Sequence, residues 1–150
     1  MSVMSLDDLY KEVILDHYQN PRNRGKLESP DIATRGHNPL CGDEVELSLN
    51  IDGDHVRDIA FGGRGCSVSQ ASASMMTENV KGHSLGEAEQ LADAFKAVMT
   101  ADGAPDGLGE AEELQALQGV KRYPVRVKCA LLPWTALREA FDLYRKGTKT

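Results

Sequence analysis

The sequence has no long hydrophobic run and few aromatic residues. Among its 150 residues, 41% are hydrophobic but only 5% are aromatic. The longest uninterrupted apolar run, Cys129 to Leu132, is far shorter than the roughly 20 residues that a membrane-spanning helix needs. The first residues also lack the basic segment and apolar stretch of a secretory signal. We therefore expect a soluble, cytoplasmic protein that does not associate with a membrane.

Cysteine is scarce as well. Three cysteines cannot all pair with one another, and a chain of this length forms one domain that buries roughly two thirds of its unfolded surface without disulfide bonds. We therefore expect these residues to be thiols or metal ligands in a reducing compartment. Buried, chemically inert thiols are the alternative at this point.

The chain also lacks an excess of positive charge. Its formal net charge is -6, which disfavours nonspecific binding to nucleic acid. The charge is uneven, because residues 1–118 carry 9 basic and 21 acidic side chains, whereas residues 119–150 carry 8 basic and 2 acidic ones. The basic final segment could face an acidic partner. Alternatively, Arg145, Lys146 and Lys149 could simply complement the dipole at a helix C-terminus.

The middle of the chain predicts a small β-sheet. Apolar and polar residues alternate over residues 45–51, and a second short strand follows at 56–61. The Asp52-Gly53 pair between them favours a hairpin turn. Residues 32–37 could add a third strand. We therefore predict an α+β fold, in which a small antiparallel sheet of about three strands is packed on one face by helices and the ligand residues gather at one end.

Helical periodicity predicts five helical segments around this sheet. Capping-box-like pairs precede the first and the third, and small residues dominate the second. The predicted segments are residues 6–18, 67–76, 84–99, 110–118 and about 127–147. Pro133 interrupts the last one, because it lacks a backbone N–H and crowds the carbonyl of Cys129. Cys129 is therefore predicted to lie at a helix entrance.

The three cysteines and one carboxylate form a candidate metal site. Cys41 and Asp43 are two residues apart, so in extended backbone their side chains project to one face. Cys66 follows a glycine-rich turn and opens a predicted helix, where backbone N–H groups favour a thiolate. Basic side chains precede Cys129 and favour a thiolate there too. Together these residues supply the three sulphurs and one oxygen of a tetrahedral zinc site.

Histidines are the alternative ligands. His37, four residues before Cys41, is the best reserve ligand. His17 lies on the apolar stripe of the first helix and is expected to be a packed or hydrogen-bonded core residue, whereas His55 and His83 are expected at the surface. The sequence contains no glycine-rich phosphate loop, Ser-His-Asp arrangement or aromatic-interleaved basic tract.

These motifs resemble those of the U-type iron-sulphur cluster assembly family, which comprises IscU, SufU and the NifU N-terminal domain. The resemblance extends over nearly the whole chain, so residues 1–150 are expected to form a single domain of this kind. The matching segments are YKEVILDHYQNPRNRG from Tyr10, NPLCGD from Asn38, GRGCSVSQASASMM from Gly63 and RVKC from Arg126.

Two departures favour the SufU branch, whose members are zinc-dependent sulphurtransferases. Scaffolds of the IscU type have a histidine directly before the third cysteine, where this chain has Lys128. The chain also has extra sequence around residues 102–118, which we expect to be a mobile surface insertion. Pro133 departs from the pattern of both branches.

The resemblance implies that zinc is bound by Cys41, Asp43, Cys66 and Cys129, and that Cys41 accepts sulphur. The sulphur would come from a PLP-dependent cysteine desulphurase of the SufS type and pass to the downstream iron-sulphur assembly machinery. Arg126 could stabilise the freed thiolate or the transferred sulphur, or form a structural ion pair instead. Two alternatives stay open: a scaffold that builds a [2Fe-2S] cluster on the same ligands, and a domain in which zinc serves folding alone.

Overall fold

Three strands, four α-helices and one 3-10 helix form the regular structure of the described part of the chain. The computed structural model describes residues 6–39, 42–100, 112–120 and 123–147. The elements are, in order, α1 (Leu6–Gln19), β1 (Ile32–Asn38), β2 (Asp43–Asp52), β3 (His55–Arg64), α2 (Ser67–Val80), α3 (Leu85–Thr100), a 3-10 helix (Glu112–Val120) and α4 (Pro124–Arg145). This arrangement confirms the predicted α+β fold. None of the helices in the described ranges has the length and apolar composition of a membrane span.

The three strands form one antiparallel sheet in the order β1-β2-β3. Thr34 of β1 lies opposite Leu47, and Leu49 lies opposite Ile59 of β3. The buried side chains of β2 alternate along the strand because successive side chains point to opposite faces; they include Val45, Leu47, Leu49 and Ile51. One face of the sheet therefore enters the core, and the third strand that the sequence suggested is present.

The outer edge of β3, on the side away from β2, is hydrogen-bonded to the loop that follows α1. The backbone N–H of Gly25 donates to the carbonyl of Phe61 over 2.8 Å, and the N–H of Phe61 donates to the carbonyl of Asn23 over 3.0 Å. Asn23 adopts a φ of 60°, a left-handed conformation that asparagine tolerates better than most residues. The loop consequently lies against the end of the sheet from which α2 begins.

Helices α1 and α4 pack against α2 and the sheet through close contacts. His17 of α1 is 1% exposed, and its Nδ1 lies 2.8 Å from the Oγ of Ser74 on α2. This confirms the interpretation of His17 as a hydrogen-bonded core residue. On the other side, a β-carbon on Gly36 would lie 3.2 Å from Leu132 Cδ1, so the missing side chain lets α4 approach β1.

The prediction that Cys129 lies at a helix entrance is wrong. Helix α4 begins at Pro124 and continues through Pro133 to Arg145, which places Cys129 in its second turn. Proline suits the first helical position because its missing N–H would be unpaired there anyway. The helix tolerates Pro133 because tertiary packing holds both sides of it: Trp134 is 2% exposed and Ala130 is 0% exposed.

Residues 112–120 form part of the core and not a surface excursion. Leu114 and Leu117 are each 0% exposed, and the short helical segment expected here is a 3-10 helix. The acidic and glycine-rich composition suggested mobility, but apolar side chains within the segment contribute to the core instead. The preceding residues, 101–111, lie outside the described ranges.

Candidate metal centre

Three of the four predicted ligand residues lie together at one end of the sheet. One ligand atom each from Asp43, Cys66 and Cys129 lies within 4.8 Å of the others. Asp43 opens β2, Cys66 directly precedes α2, and Cys129 lies within α4, so three elements contribute one ligand each. The fourth predicted ligand, Cys41, lies outside the described residues.

The Asp43 carboxylate holds the start of α2. Its Oδ1 accepts a hydrogen bond from the backbone N–H of Cys66 over 3.0 Å, and its Oδ2 accepts one from the thiol of Cys66 over 3.4 Å. The first turn of α2 contains no acidic residue of its own. The carboxylate that lies at this helix N-terminus therefore comes from β2. This contact fixes both the orientation of Asp43 and the position of the Cys66 thiol.

Two glycines before Cys66 allow the turn to press against β2. A β-carbon on Gly65 would lie 2.8 Å from Asp43 Oδ1, and one on Gly63 would collide with the backbone of Glu44. Gly63 also has a φ of 101°, which side-chain-bearing residues rarely adopt. The glycine-rich composition that marked this turn in the sequence thus reflects close backbone approach to the site.

Helix α2 also positions the second thiol. The hydroxyl of Ser72 donates to the carbonyl of Ala130 over 2.5 Å and accepts a hydrogen bond from Trp134 Nε1 over 3.2 Å. Ala130 directly follows Cys129, and Ser72 lies on the helix that Cys66 precedes. The spacing between the two thiols is therefore set by a buried contact between α2 and α4.

The histidines do not take part in the described cluster. His37 is exposed on β1 and is not among the residues that converge with Asp43. His55 and His83 lie at the surface as expected; His55 contacts Asp54 over 2.7 Å, and His83 lies 3.7 Å from Glu87.

Arg126 and Lys128 are both exposed on α4. Arg126 lies in the first turn, three residues before Cys129. Its assigned role in sulphur transfer stays a prediction.

Sequence analysis missed the polar residues that support the site. Ser69 lies in the first turn of α2, and its hydroxyl donates to the carbonyl of Cys66 over 3.1 Å. Its spacing of three residues from Cys66 was the available signal, because such residues share a helix face. For Ser72 the signal was absent, since its contacts lie 58 and 62 residues away along the chain.

The donor set suits a borderline-soft divalent cation. Two thiols and one carboxylate are ligands of zinc, which prefers four donors in a tetrahedral arrangement. Asp43 is 3% exposed and Cys129 is 2% exposed. Burying ionised groups is costly unless positive charge or hydrogen-bond donors compensate. A bound cation would supply that charge, so the residues present fit a metal.

Sequence comparison finds related proteins over most of the chain. The family model of the NifU-like N terminal domain matches residues 9–149. The chain is 44% identical over 135 residues to the zinc-dependent sulfurtransferase SufU of Bacillus subtilis, covering 90% of each chain. It is 43% identical over 142 residues to the iron-sulfur cluster assembly scaffold protein IscU of Streptococcus pyogenes, covering 93% of this chain and 87% of that protein.

A solved structure shows the same architecture. The N-terminal part of a NifU-like protein from Brucella abortus superposes with a TM-score of 0.85 at 28% identity. The match covers 94% of this chain and 97% of that structure. Sequence and three-dimensional similarity therefore extend over almost the same part of the chain.

Proposed function

Because this chain belongs to the family of NifU-like N-terminal domains, we propose that it is a zinc-dependent sulphurtransferase of iron-sulphur cluster assembly. It accepts persulphide sulphur from a PLP-dependent cysteine desulphurase of the SufS type and passes it to the downstream machinery. The convergence of Asp43, Cys66 and Cys129 carries the proposal, since these residues supply two sulphurs and one oxygen. The 44% identity to a protein named as a zinc-dependent sulfurtransferase supports the choice of activity.

In this proposal, zinc is held by Asp43, Cys66, Cys129 and Cys41. Zinc has no redox chemistry, so it would hold the cysteines as thiolates without oxidising them. Asp43 and Cys129 are buried, so these two ligands are shielded from bulk water. The hydrogen bond from the Cys66 N–H to Asp43 orients the carboxylate before metal arrives, which lowers the cost of assembling the site.

Sulphur transfer in this proposal is a thiolate-persulphide exchange at Cys41. The Cys41 thiolate attacks the terminal sulphur of the desulphurase persulphide, and a new S–S bond forms on Cys41. The original S–S bond breaks, and its electron pair leaves on the desulphurase cysteine as a thiolate. Arg126, with its cationic side chain in the first turn of α4, stabilises the freed Cys41 thiolate or the transferred sulphur by a charge-assisted contact.

The test combines metal analysis with a desulphurase assay on the purified chain. We expect about one zinc per chain and an increase in desulphurase turnover that Cys41→Ala abolishes. The exposed His83→Ala serves as the matched control and should leave both quantities unchanged. Full stimulation by the Cys41→Ala variant would contradict the proposal.

The second candidate function is a scaffold that assembles a [2Fe-2S] cluster on the same residues. The 43% identity to a protein named as an assembly scaffold favours it. Anaerobic reconstitution with iron and sulphide separates the two functions. A cluster that transfers to an apo-ferredoxin supports the scaffold, whereas the absence of a transferable cluster, together with trapped persulphide on Cys41, supports the sulphurtransferase.

A further inference from the structure

The arginine of the loop after α1 contacts both sides of the turn that carries Cys66. Arg24 Nη2 donates to the carbonyl of Gly63 over 2.7 Å, and its Nη1 donates to Gln70 Oε1 over 2.6 Å. Gly63 lies three residues before Cys66, and Gln70 lies four residues after it. One guanidinium therefore spans the connection from β3 to α2.

The position of this guanidinium is itself fixed by three further contacts. Arg24 lies over the ring of Phe61, with 5.4 Å from its Cζ to the ring centroid, a distance at which cation and ring attract. The backbone on either side is hydrogen-bonded to Phe61. The loop is anchored to β3 on both sides of Arg24, so the backbone that carries this exposed side chain is held beside the turn.

The other end of Gln70 is connected to the metal centre through the helix. Its backbone N–H donates to the carbonyl of Cys66 over 3.1 Å, which closes the first turn of α2. Gln70 is 9% exposed, so its side chain is largely buried. A displacement of Gln70 would therefore also displace the backbone of Cys66, to which it is hydrogen-bonded.

We propose that Arg24 is a positioning residue of the metal centre, which holds the turn from Gly63 to Gln70 so that Cys66 stays directed at Asp43. The inference rests on the proposed metal site for its consequence, though not for its geometry. Arginine suits this task because its planar fork donates to two acceptors at once. Lysine would keep the charge over Phe61 but would donate from one point only.

The experiment compares Arg24→Gln with the matched control Arg35→Gln. Arg35 is an exposed arginine on β1 that pairs with Glu46 over 2.9 Å, and it makes no contact with the turn in the described structure. We expect Arg24→Gln to weaken zinc binding by about tenfold, the lower end of the effects known for outer contacts of metal ligands. Arg35→Gln should bind zinc like the native chain.

Two readouts separate positioning from a general loss of stability. In the cobalt-substituted protein, Arg24→Gln should shift the thiolate-to-cobalt and d–d absorption bands, which report ligand geometry. Gln70→Leu removes the other arm and should shift the same bands. The double variant should lose less affinity than the product of the two single effects. Both substitutions disrupt the same clamp, which is the contact of Arg24 with Gly63 and Gln70. Native bands and affinity in Arg24→Gln would overturn the inference.

Amide hydrogen exchange in the metal-free chain tests the clamp independently of any metal. Arg24→Gln should raise exchange at the amides of residues 66–70 by about tenfold relative to the native chain, and Arg24→Lys should give an intermediate increase. Unchanged exchange there would contradict the clamp. A native chain that binds no zinc, with this exchange increase still present, would contradict the proposed function but leave the clamp supported.

Discussion

The absence of a side chain at Gly65 allows Asp43 and Cys66 to lie close together. Gly65 has no side chain, and the volume that a β-carbon would fill is taken by the Asp43 carboxylate and the Ser69 hydroxyl. Neither neighbour can move freely, since Asp43 accepts from the Cys66 N–H and Ser69 donates to the Cys66 carbonyl. The constraint at this residue is one of packing, which a composition count does not show.

Replacing Gly65 by alanine should therefore damage the metal centre. We expect Gly65→Ala to weaken zinc binding by about tenfold to 100-fold, because the methyl group displaces the carboxylate. Gly86→Ala is the matched control: among the described residues its β-carbon would approach Ser84 Oγ alone, at 4.0 Å, and alanine favours the helix. Isothermal titration with zinc measures both. Equal affinities in the two variants would refute the packing argument.

At the scale of elements, α3 and α4 are joined at the surface by ion pairs. Arg145 of α4 donates to both oxygens of Glu89 on α3, over 2.9 and 2.6 Å. The hydrogen bonds from Arg145 lower the pKa of the Glu89 carboxyl below its ordinary value of 4.5. The Arg138 guanidinium of α4 contacts Asp93, which lies one helical turn after Glu89 on α3. These pairs fix α4, the helix that carries Cys129, against α3.

The Glu89 pair predicts a definite dependence of stability on pH. Its folded-state pKa lies below 4.5, so its contribution is complete above that pH and is lost as the pH falls through the folded-state pKa. Glu89→Gln should lower the free energy of unfolding at pH 7 by less than about 1 kcal/mol. Urea denaturation should show a difference at pH 7 that becomes smaller as the pH falls below 4.5. A difference that grows as the pH falls below 4.5 would contradict this origin.

The elements could largely be predicted from the sequence, whereas their junctions could not. The sheet followed from alternation over residues 45–51, and the capping box of α3 is present, with Ser84 and Glu87 hydrogen-bonded to each other. The start of α4 was misplaced because local rules penalise Pro133, while Ser72 on another helix holds the backbone around it. Arg24 gave no signal at all, since its partners lie 39 and 46 residues away.

At the scale of the whole molecule, the ligands join the parts of the fold to one another. Asp43 comes from the sheet, Cys66 from the start of α2 and Cys129 from α4. A cation bound by all three would link these elements and would bind the folded chain more tightly than the unfolded one. The sole tryptophan, Trp134, lies on α4 against Phe95, with ring centroids 5.3 Å apart, and can report this link.

Zinc should therefore raise the thermal stability of the chain. At a free zinc concentration 100 times Kd, the expected gain is about 2.7 kcal/mol, or about 5–10 °C in Tm for a domain of this size. Thermal unfolding followed by Trp134 fluorescence measures the shift. Cys129→Ala should lose most of it, whereas His83→Ala should retain it. The same shift in Cys129→Ala would show that zinc binds elsewhere.

The wide separation of the ligands in the sequence also has a consequence for protein synthesis. Cys66 and Cys129 are 63 residues apart, so at 5–20 residues per second the ribosome adds the second thiol roughly 3–13 s after the first. During that interval the nascent chain has Asp43 and Cys66 but no α4 to cover them. A metal that requires the complete donor set could therefore bind only after α4 has been translated and has docked, late in the maturation of the protein.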